Sequence, residues 1–131
     1  MCMLTTNNRT LMRKLVYILE DEEDIRDILS IFLSEHAEVK TFANIKSFKE
    51  AMLTVIPHLF LLDINLPDGN GLELAMDISN NLLAKNKPIV IMSAHMRNDD
   101  LQQRKEISAF ISKPFDLSLM ERKVVELLDA S

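Results

Sequence analysis

Short apolar runs alternate with segments of helical period from Lys14 onward, and the alternation repeats five times along the chain. Such a repeat predicts βα units, in which parallel strands are joined by helices that cover both faces of one sheet. The predicted strands comprise residues 15–19, 39–42, 59–62, 89–92 and 110–111. We therefore expect the α/β class, with a doubly wound, five-stranded parallel sheet.

Apolar residues between these strands recur at the spacing of an amphipathic helix. Four helices are predicted in this way, and their apolar faces comprise Ile25, Ile28, Leu29 and Phe32 in the first, Phe48, Met52 and Val55 in the second, Leu72, Ala75, Ile78 and Leu82 in the third, and Leu117, Met120, Val124, Leu127 and Leu128 in the last. Asp116 precedes the last helix and is predicted to cap it. A further helix within residues 98–107 has few apolar anchors and is the weakest predicted element.

The composition limits the class of protein. A length of 131 residues, with 47% apolar and 27% charged residues, fits one compact domain. We expect residues 14–131 to form it and residues 1–13, which lack a sustained period, to be an N-terminal tail.

The single cysteine, Cys2, cannot build a disulfide framework or a zinc site, which favours the cytoplasm, and His36 and His58 show no metal-ligand spacing. The net charge of −5 disfavours direct nucleic-acid binding, and no apolar run is long enough for a signal peptide or a membrane span.

Acidic side chains follow two of the predicted strands at the point where each strand ends. Glu20 and Asp21 follow the first strand, and Asp63 follows the third. In a doubly wound sheet the ligand site lies at the carboxyl ends of the strands, so these carboxylates converge if the strand order is 2-1-3-4-5. Two unit charges about 5 Å apart repel by roughly 3 kcal/mol at an effective dielectric constant of about 20. A positive group is therefore expected among them.

Two positive groups could neutralise this cluster: a divalent cation, or Lys113 at the end of the fifth strand. Oxygen ligands with open positions for phosphate oxygens suit Mg²⁺ better than Ca²⁺, and the cluster has no Cys or His to favour zinc or copper. Each residue also has an ordinary explanation, with Glu20 and Asp21 favoured at a helix N-terminus, Asp63 as a turn residue and Lys113 as a solvated lysine. Their common position at strand ends favours the magnesium site.

The whole chain has only two glycines, Gly69 and Gly71, and both follow the third strand in the segment LFLLDINLPDGNG. Glycine allows backbone conformations and close approaches that other residues do not. The loop after Asp63 is therefore expected to need that freedom.

Four segments of the chain, ILEDEEDIRDIL, LLDINLPDGNGLEL, PIVIMSAH and FISKPFDL, occur in this order on the predicted strands and the loops that follow them. Together they resemble the response regulator receiver domain of bacterial two-component signal transduction, over residues 14–128. The resemblance implies the flavodoxin-like, CheY-like fold with strand order 2-1-3-4-5. It also implies a cytoplasmic phosphoprotein of a phosphorelay.

The resemblance further implies a magnesium site and a phosphorylation site. Asp63 resembles the phospho-accepting aspartate, which would take a phosphoryl group from a partner sensor histidine kinase, a phosphotransfer protein or a small acyl phosphate. Mg²⁺ would be bound by the side chains of Asp21 and Asp63 and by the backbone carbonyl of Asn65, with Glu20 acting through a bound water. The protein would catalyse only its own phosphorylation and dephosphorylation.

Three more residues have roles that the resemblance implies. Lys113 would pair with one phosphoryl oxygen and Ser93 would donate its hydroxyl to another, while a cis peptide bond would join Lys113 to Pro114. Phe110 would be the aromatic switch residue, which alters the face that a downstream protein contacts. Phe110 stands where the family more often has tyrosine, and the stretch from Ser93 to Lys113 is shorter than usual, which puts the helix within residues 98–107 in doubt.

Three functions compete for this chain. The first is a phosphorylation-controlled binding module, free-standing or the amino-terminal part of a longer regulator; because nothing after Asp129 could form an output domain, its output is expected to be contact with a protein. The alternative is a small Mg²⁺-dependent phosphohydrolase with an aspartate nucleophile, of the haloacid dehalogenase kind. That class would place a second aspartate where Asn65 stands, and it generally has a larger chain. The third is a degenerate receiver that serves only as a scaffold, which the filled reactive positions disfavour.

Overall fold

The computed structural model describes residues 13–94 and 104–130, which are built around a five-stranded parallel sheet. The strands are β1 (Leu15–Leu19), β2 (Glu38–Phe42), β3 (Leu59–Asp63), β4 (Ile89–Ser93) and β5 (Ala109–Ser112). Their order across the sheet is β2-β1-β3-β4-β5, and each neighbouring pair is parallel. The predicted strands and the predicted order are confirmed, and no strand end differs from its prediction by more than one residue.

Helices connect the strands and cover both faces of the sheet. They are α1 (Glu23–Leu33), α2 (Ile45–Met52), α3 (Gly71–Ser79) and α4 (Leu117–Ala130). Most of the helix predicted within residues 98–107, and most of the predicted tail at residues 1–13, lie outside the described residues. None of the helices in the described part of the chain has the length and the hydropathy needed to span a bilayer.

The burial of the strands follows from their places in the sheet. Every residue of the three inner strands, β1, β3 and β4, is buried, because helices cover both faces there. The edge strands β2 and β5 keep exposed or half-buried positions, and their sequences are correspondingly more polar. The continuous apolar runs of the inner strands therefore specify the centre of the sheet.

Two core layers flank the sheet. On one face, Tyr17, Phe48 and Phe60 pack with the apolar sides of α2 and α3, and the ring of Tyr17 meets those of Phe48 and Phe60 edge-on at centroid distances of 5.9 and 6.5 Å. On the other face, Val16 and Leu29 belong to the layer that α1 and α4 cover. Because side chains alternate along a strand, neighbouring residues of β1 contribute to opposite layers.

The predicted apolar faces of the helices need correction at their ends. Val55 and Leu82 follow the last residues of α2 and α3, so they lie in turns and are exposed rather than part of the core. Ile28 of α1, which the pattern assigned to the core, is exposed, whereas Leu33, which the pattern did not include, is buried. α2 and α3 are shorter than the sequence period indicated, because the chain turns toward the next strand before the period ends.

Side-chain oxygens cap three of the helices. Asn44, Asn70 and Asp116 each accept a hydrogen bond from a backbone N–H in the first turn of α2, α3 and α4, at 2.9, 2.7 and 2.8 Å respectively. Such caps satisfy N–H groups that have no partner within the helix. The capping role predicted for Asp116 is confirmed.

His58 joins the start of β1 to the residue before β3. Its ring Nδ1 accepts a hydrogen bond from the backbone N–H of Leu15 at 2.9 Å, and its own backbone N–H donates to the Leu15 carbonyl at 2.7 Å. The ring must therefore be neutral, with its proton on Nε2. Burial, together with the positive charges of Lys87 and Lys14, lowers the pKa of His58.

We expect His58→Asn to remove a pH dependence from the stability of the fold. Because the pKa of His58 is lower in the folded chain, the stability that its neutral ring contributes is complete above about pH 6.5 and is lost as the pH falls through the folded-state pKa. Asn keeps an acceptor for the Leu15 N–H but does not titrate. Urea denaturation from about pH 7.5 down to about pH 5 should show wild type losing about 1 kcal/mol more than the variant, the contribution of one such hydrogen bond. Parallel pH profiles would contradict this assignment.

Candidate functional site: an acidic pocket at the strand ends

The register of β1 and β3 brings acidic residues together at one end of the sheet. Leu19 lies opposite Leu62, so Glu20 and Asp63 occupy the next position on adjacent strands. Glu20, Asp21 and Asp63 each place a carboxylate oxygen within 4.8 Å of the other two. The convergence that the strand order implied is therefore present in the structure.

The three carboxylates differ in their access to solvent. Glu20 is completely buried and Asp63 is 5% exposed, whereas Asp21 is exposed. The backbone N–H of Glu22 donates a hydrogen bond to Glu20 Oε2 at 3.0 Å. The pocket therefore has a closed floor and an open rim, and a ligand from solvent meets Asp21 at that rim.

Lys113 supplies the positive charge of the pocket. Its Nζ donates to Glu20 Oε1 at 2.5 Å and lies 3.3 Å from Asp63 Oδ2. Lys113 follows β5 directly, its backbone N–H donates to the carbonyl of Ser93 at 2.9 Å, and a cis peptide bond joins it to Pro114 as expected. Of the two positive groups considered from the sequence, the lysine is thus in place between two of the carboxylates.

Charge and burial act in opposite directions on the ionisation of this pair. Burial raises the pKa of Glu20 to about 7, although the hydrogen bonds from Lys113 and from the Glu22 backbone oppose the shift. For Lys113, burial lowers the pKa, but the hydrogen bond and the negative charge of Glu20, with that of Asp63, outweigh it, so the pKa is raised. The ammonium therefore stays charged near neutral pH, while the protonation of Glu20 varies there.

Of the other residues singled out from the sequence, two lie at the end of the sheet that carries this pocket and one lies further back along its strand. Ser93 is the last residue of β4 and is buried, and Asn65 is exposed two residues beyond Asp63, where residues 65–66 pair with residues 69–70 in a short hairpin that the sequence did not predict. Phe110 lies opposite Ile91 on β4, below the ends of the strands, and packs half-buried on the core layer of α2 and α3. Ser93 and Asn65 thus border the pocket, and Phe110 stands away from the carboxylates.

Arg26 is a positioning residue that the sequence analysis missed. Its guanidinium donates from α1 to the backbone carbonyls of Glu20 at 2.9 Å and Asp21 at 3.0 Å. These bonds hold the loop that carries two of the three carboxylates. Arg26 lies one turn into a helix that follows an acidic loop, a position that surface arginines often occupy. No signal in the sequence therefore distinguished it from an ordinary surface residue.

Gly71 allows the loop after Asp63 to return to the end of β3. A Cβ atom at this position would lie 2.1 Å from the backbone oxygen of Asp63, and the Gly71 N–H donates to the Ile64 carbonyl at 2.8 Å. The carboxylate of Asp68 accepts hydrogen bonds from the first two backbone N–H groups of α2, at 2.9 and 3.1 Å, which ties the same loop to that helix. The glycine predicted to matter for its backbone is thus needed for close approach.

The donor set of the pocket fits a hard divalent cation. It comprises carboxylate oxygens, with the backbone carbonyl of Asn65 nearby in the chain, and no nitrogen or sulfur ligand among the three clustered residues. Three carboxylates and one ammonium leave a charge of −2 when all are ionised, which favours a small dication over a monovalent one. Asp21 and Asp63 could hold the metal directly.

Fold and pocket together define a doubly wound α/β domain with an acidic site at the carboxyl ends of its strands. The response regulator receiver domain family matches residues 16–125, and the chain belongs to this family. Receiver domains generally bind Mg²⁺ at an acidic pocket and act as signalling modules rather than as classical enzymes. The phosphohydrolase alternative is therefore not favoured.

Relatives of known sequence include two-component response regulators. The chain is 31% identical over 117 residues to the transcriptional regulatory protein CrdR of Helicobacter pylori, covering 86% of this chain and 54% of that protein. It is 30% identical to the response regulator protein PilR of Pseudomonas aeruginosa, covering 88% of this chain and 26% of that protein. The chain thus spans about half or less of these relatives. Sporulation initiation phosphotransferase F of Bacillus subtilis is 27% identical, and the match covers 90% of this chain and 96% of that one.

Solved structures agree on the fold. The chemotaxis response regulator CheY4 of Vibrio cholerae superposes with a TM-score of 0.81 at 19% identity, over 88% of this chain and 99% of that chain. The response regulator DrrB of Thermotoga maritima superposes with a TM-score of 0.82 at 21% identity, over 91% of this chain and 54% of that chain. The CheY-like fold implied by the sequence is therefore confirmed.

We expect the burial of Glu20 to make the metal-free protein less stable as the pH rises. Because the pKa of Glu20 is raised to about 7 in the folded chain, its protonated form stabilises the fold fully below about pH 4.5, and this contribution is lost as the pH rises through about 7. Urea denaturation in EDTA should show wild type losing on the order of 3 kcal/mol more than Glu20→Gln between about pH 4.5 and about pH 8. The expectation fails if the two profiles run parallel.

Arg26→Ala should weaken magnesium binding without removing a ligand. The two hydrogen bonds from the guanidinium to backbone carbonyls fix the loop that carries Glu20 and Asp21. Without them the loop must become ordered when the metal binds, and the entropy cost of that ordering lowers the affinity. We expect a cost on the order of 1 kcal/mol, roughly a fivefold rise in the Mg²⁺ dissociation constant. Calorimetric titration measures it, with Arg122→Ala on the exposed side of α4 as the matched control. Equal affinities for both variants would show that Arg26 does not position the loop.

Proposed function

We propose that this chain accepts a phosphoryl group on Asp63, from a partner sensor histidine kinase or a phosphotransfer protein, in the presence of Mg²⁺. The observation that carries the proposal is the position of Lys113, whose ammonium contacts both Glu20 and Asp63 beside the exposed carboxylate of Asp21. A buried acceptor carboxylate flanked by a lysine and by two further carboxylates provides a nucleophile, a cation for the incoming phosphoryl oxygens and ligands for a metal.

The chemistry asks this chain for positioning and for charge neutralisation. A carboxylate oxygen of Asp63 attacks the phosphorus, the bond from phosphorus to the donor imidazole nitrogen breaks, and that nitrogen keeps the electron pair as the phosphoryl group becomes an acyl phosphate. Phosphoryl transfer of this kind depends mostly on in-line placement and on neutralising the transferred oxygens. Lys113, already 3.3 Å from Asp63 Oδ2, would follow one of these oxygens because its charge sits on a flexible stem.

Mg²⁺ would be bound by the carboxylates of Asp21 and Asp63 and by the carbonyl of Asn65, with Glu20 acting through a water. When bound, the cation neutralises charge between the acceptor carboxylate and the phosphoryl oxygens. The burial of Glu20 and its bonds to Lys113 and to the Glu22 backbone support a role behind the metal rather than at the rim. Without the cation the incoming phosphate would meet three carboxylates, so phosphorylation should require the metal.

A buried serine at the end of β4 supports a switch that reads the phosphoryl group. Moving a conformer from 1% to even occupancy requires roughly 2.7 kcal/mol, and a hydrogen bond to a charged group contributes about 1.5 to 3 kcal/mol. One bond from the Ser93 hydroxyl to the phosphoryl group therefore nearly suffices. Space that Ser93 vacates would admit the half-buried ring of Phe110, without the hydroxyl that a tyrosine would bring to a partner.

An apolar surface beside the pocket supports contact with the phosphodonor. A cavity of about 500 Å³ next to Lys113 is lined mainly by the apolar side chains Ile25, Ile28, Pro114 and Phe115. Exposed apolar patches of this kind are typical of surfaces that proteins bury on association. The donor would therefore cover this cavity while its phosphohistidine reaches Asp63.

The arrangement of the whole regulator belongs to the same proposal. Residues 14–131 would form the receiver domain and residues 1–13 a tail, either free-standing or at the amino-terminal end of a longer regulator. Its output would be a changed contact with a downstream protein, without direct contact to nucleic acid or a membrane. The cytoplasmic location stays a prediction.

We expect acetyl phosphate to add one phosphoryl group to the wild-type chain when Mg²⁺ is present, and none in EDTA. Asp63→Asn should gain none under either condition, because an amide is not a nucleophile for phosphorus. Asp77→Asn, which removes an exposed carboxylate on α3, is the matched control and should behave as wild type. Intact-mass spectrometry gives the count directly.

Two outcomes would contradict the proposal. One is a phosphoryl group on Asp63→Asn, which would place the acceptor elsewhere. The other is equal phosphorylation with and without the metal, which would show that the carboxylate cluster does not act by binding Mg²⁺. Repeated turnover of a generic phosphate ester would restore the phosphohydrolase.

A further inference from the structure

A second cluster of metal-ligating side chains lies outside the acidic pocket. Glu35 and His36 belong to the turn that follows α1, and Glu121 lies near the start of α4. Each offers one ligand atom, and the three atoms lie within 4.8 Å of one another. His36 Nε2 and Glu121 Oε2 are 2.9 Å apart.

The spacing of these atoms is close to that of ligands around one metal ion. Zn²⁺ binds imidazole nitrogen and carboxylate oxygen at about 2.0 to 2.2 Å, so two ligands of a tetrahedral site are separated by roughly 3.4 Å. The three ligand atoms, each within 4.8 Å of the other two, would close to that spacing when an ion binds.

The ligand atoms of this cluster differ in type from those of the acidic pocket. An imidazole with two carboxylates is a set of borderline hardness, which favours Zn²⁺ and related transition cations over Mg²⁺. The acidic pocket has three carboxylates and no imidazole. The two clusters should therefore select different ions.

The cluster is also accessible, and its residues come from two elements that pack together. The side chains of His36 and Glu121 are 36% and 28% exposed, so a hydrated cation can reach them and keep water at its open positions. In the sequence, Glu121 is 85 residues from His36, and for this reason no ligand spacing marked His36. The ion would replace the hydrogen bond between the two with a bridge from the turn to α4.

We propose that Glu35, His36 and Glu121 form a binding site for a divalent transition cation such as Zn²⁺, which clamps the turn after α1 to α4. This site does not depend on the phosphorylation of Asp63. Its expected effect is to stabilise the fold, because an ion that binds only the folded chain raises the free energy of unfolding.

Calorimetric titration of the full chain with Zn²⁺ tests the site. Excess Mg²⁺ is present to occupy the acidic pocket, and all proteins carry Cys2→Ser so that the thiol cannot take zinc. We expect one Zn²⁺ per chain in this background and an affinity lower by at least about tenfold in His36→Asn and in Glu121→Gln, since loss of a supporting partner alone costs metal sites tenfold or more. Glu126→Gln, an exposed carboxylate on the same helix, is the matched control and should bind as the background does.

A second readout covers folding and the location of the ion. Zn²⁺ should raise the melting temperature of the background protein and shift the His36 ring resonances, and it should not raise the melting temperature of His36→Asn. If His36→Asn does not fold, Glu35→Gln and Glu121→Gln, which keep the side-chain shape, make the same comparison. Unchanged affinity in the ligand variants, an equal loss in Glu126→Gln, or no Zn²⁺ binding in the presence of excess Mg²⁺ would each overturn the proposal.

Discussion

Repulsion among three carboxylates at the ends of β1 and β3 is the interaction on which the functional end of this protein depends. The alignment of Leu19 with Leu62 fixes the two strands in register, and this register sets Glu20 beside Asp63 whatever their charges. Lys113 offsets part of the repulsion through its contacts with both. The negative charge that remains favours a cation in this pocket over an anion.

The fold tolerates this cluster of like charges because its stability comes from the apolar core around the inner strands. Burial of the Glu20 carboxyl, which raises its pKa to about 7, opposes folding, while three inner strands that are buried throughout favour it. Glu20, Asp63 and Lys113 all lie at the ends of strands in this one sheet.

Much of the architecture could be predicted because it rests on local patterns. The apolar runs of the inner strands and the period of the helices depend on residue type at short spacing, and they gave the strands to within one residue. The position of Asp63 and Lys113 after such runs placed them at one end of the sheet. The predicted helix ends were less accurate. Val55 and Leu82 continue the apolar period although they lie beyond the ends of α2 and α3, because a local repeat contains no information on where the next strand must begin.

The sequence by itself determined the parallel α/β sheet and the residue types gathered at its carboxyl end, because both follow from order along the chain. Only the tertiary structure decided that Lys113 pairs more closely with Glu20 than with Asp63, and that Arg26 holds the carbonyls of the acidic loop. It alone brought Glu121 to His36 across 85 residues. These contacts join groups that no local spacing relates, since their distances are set by how helices and strands pack.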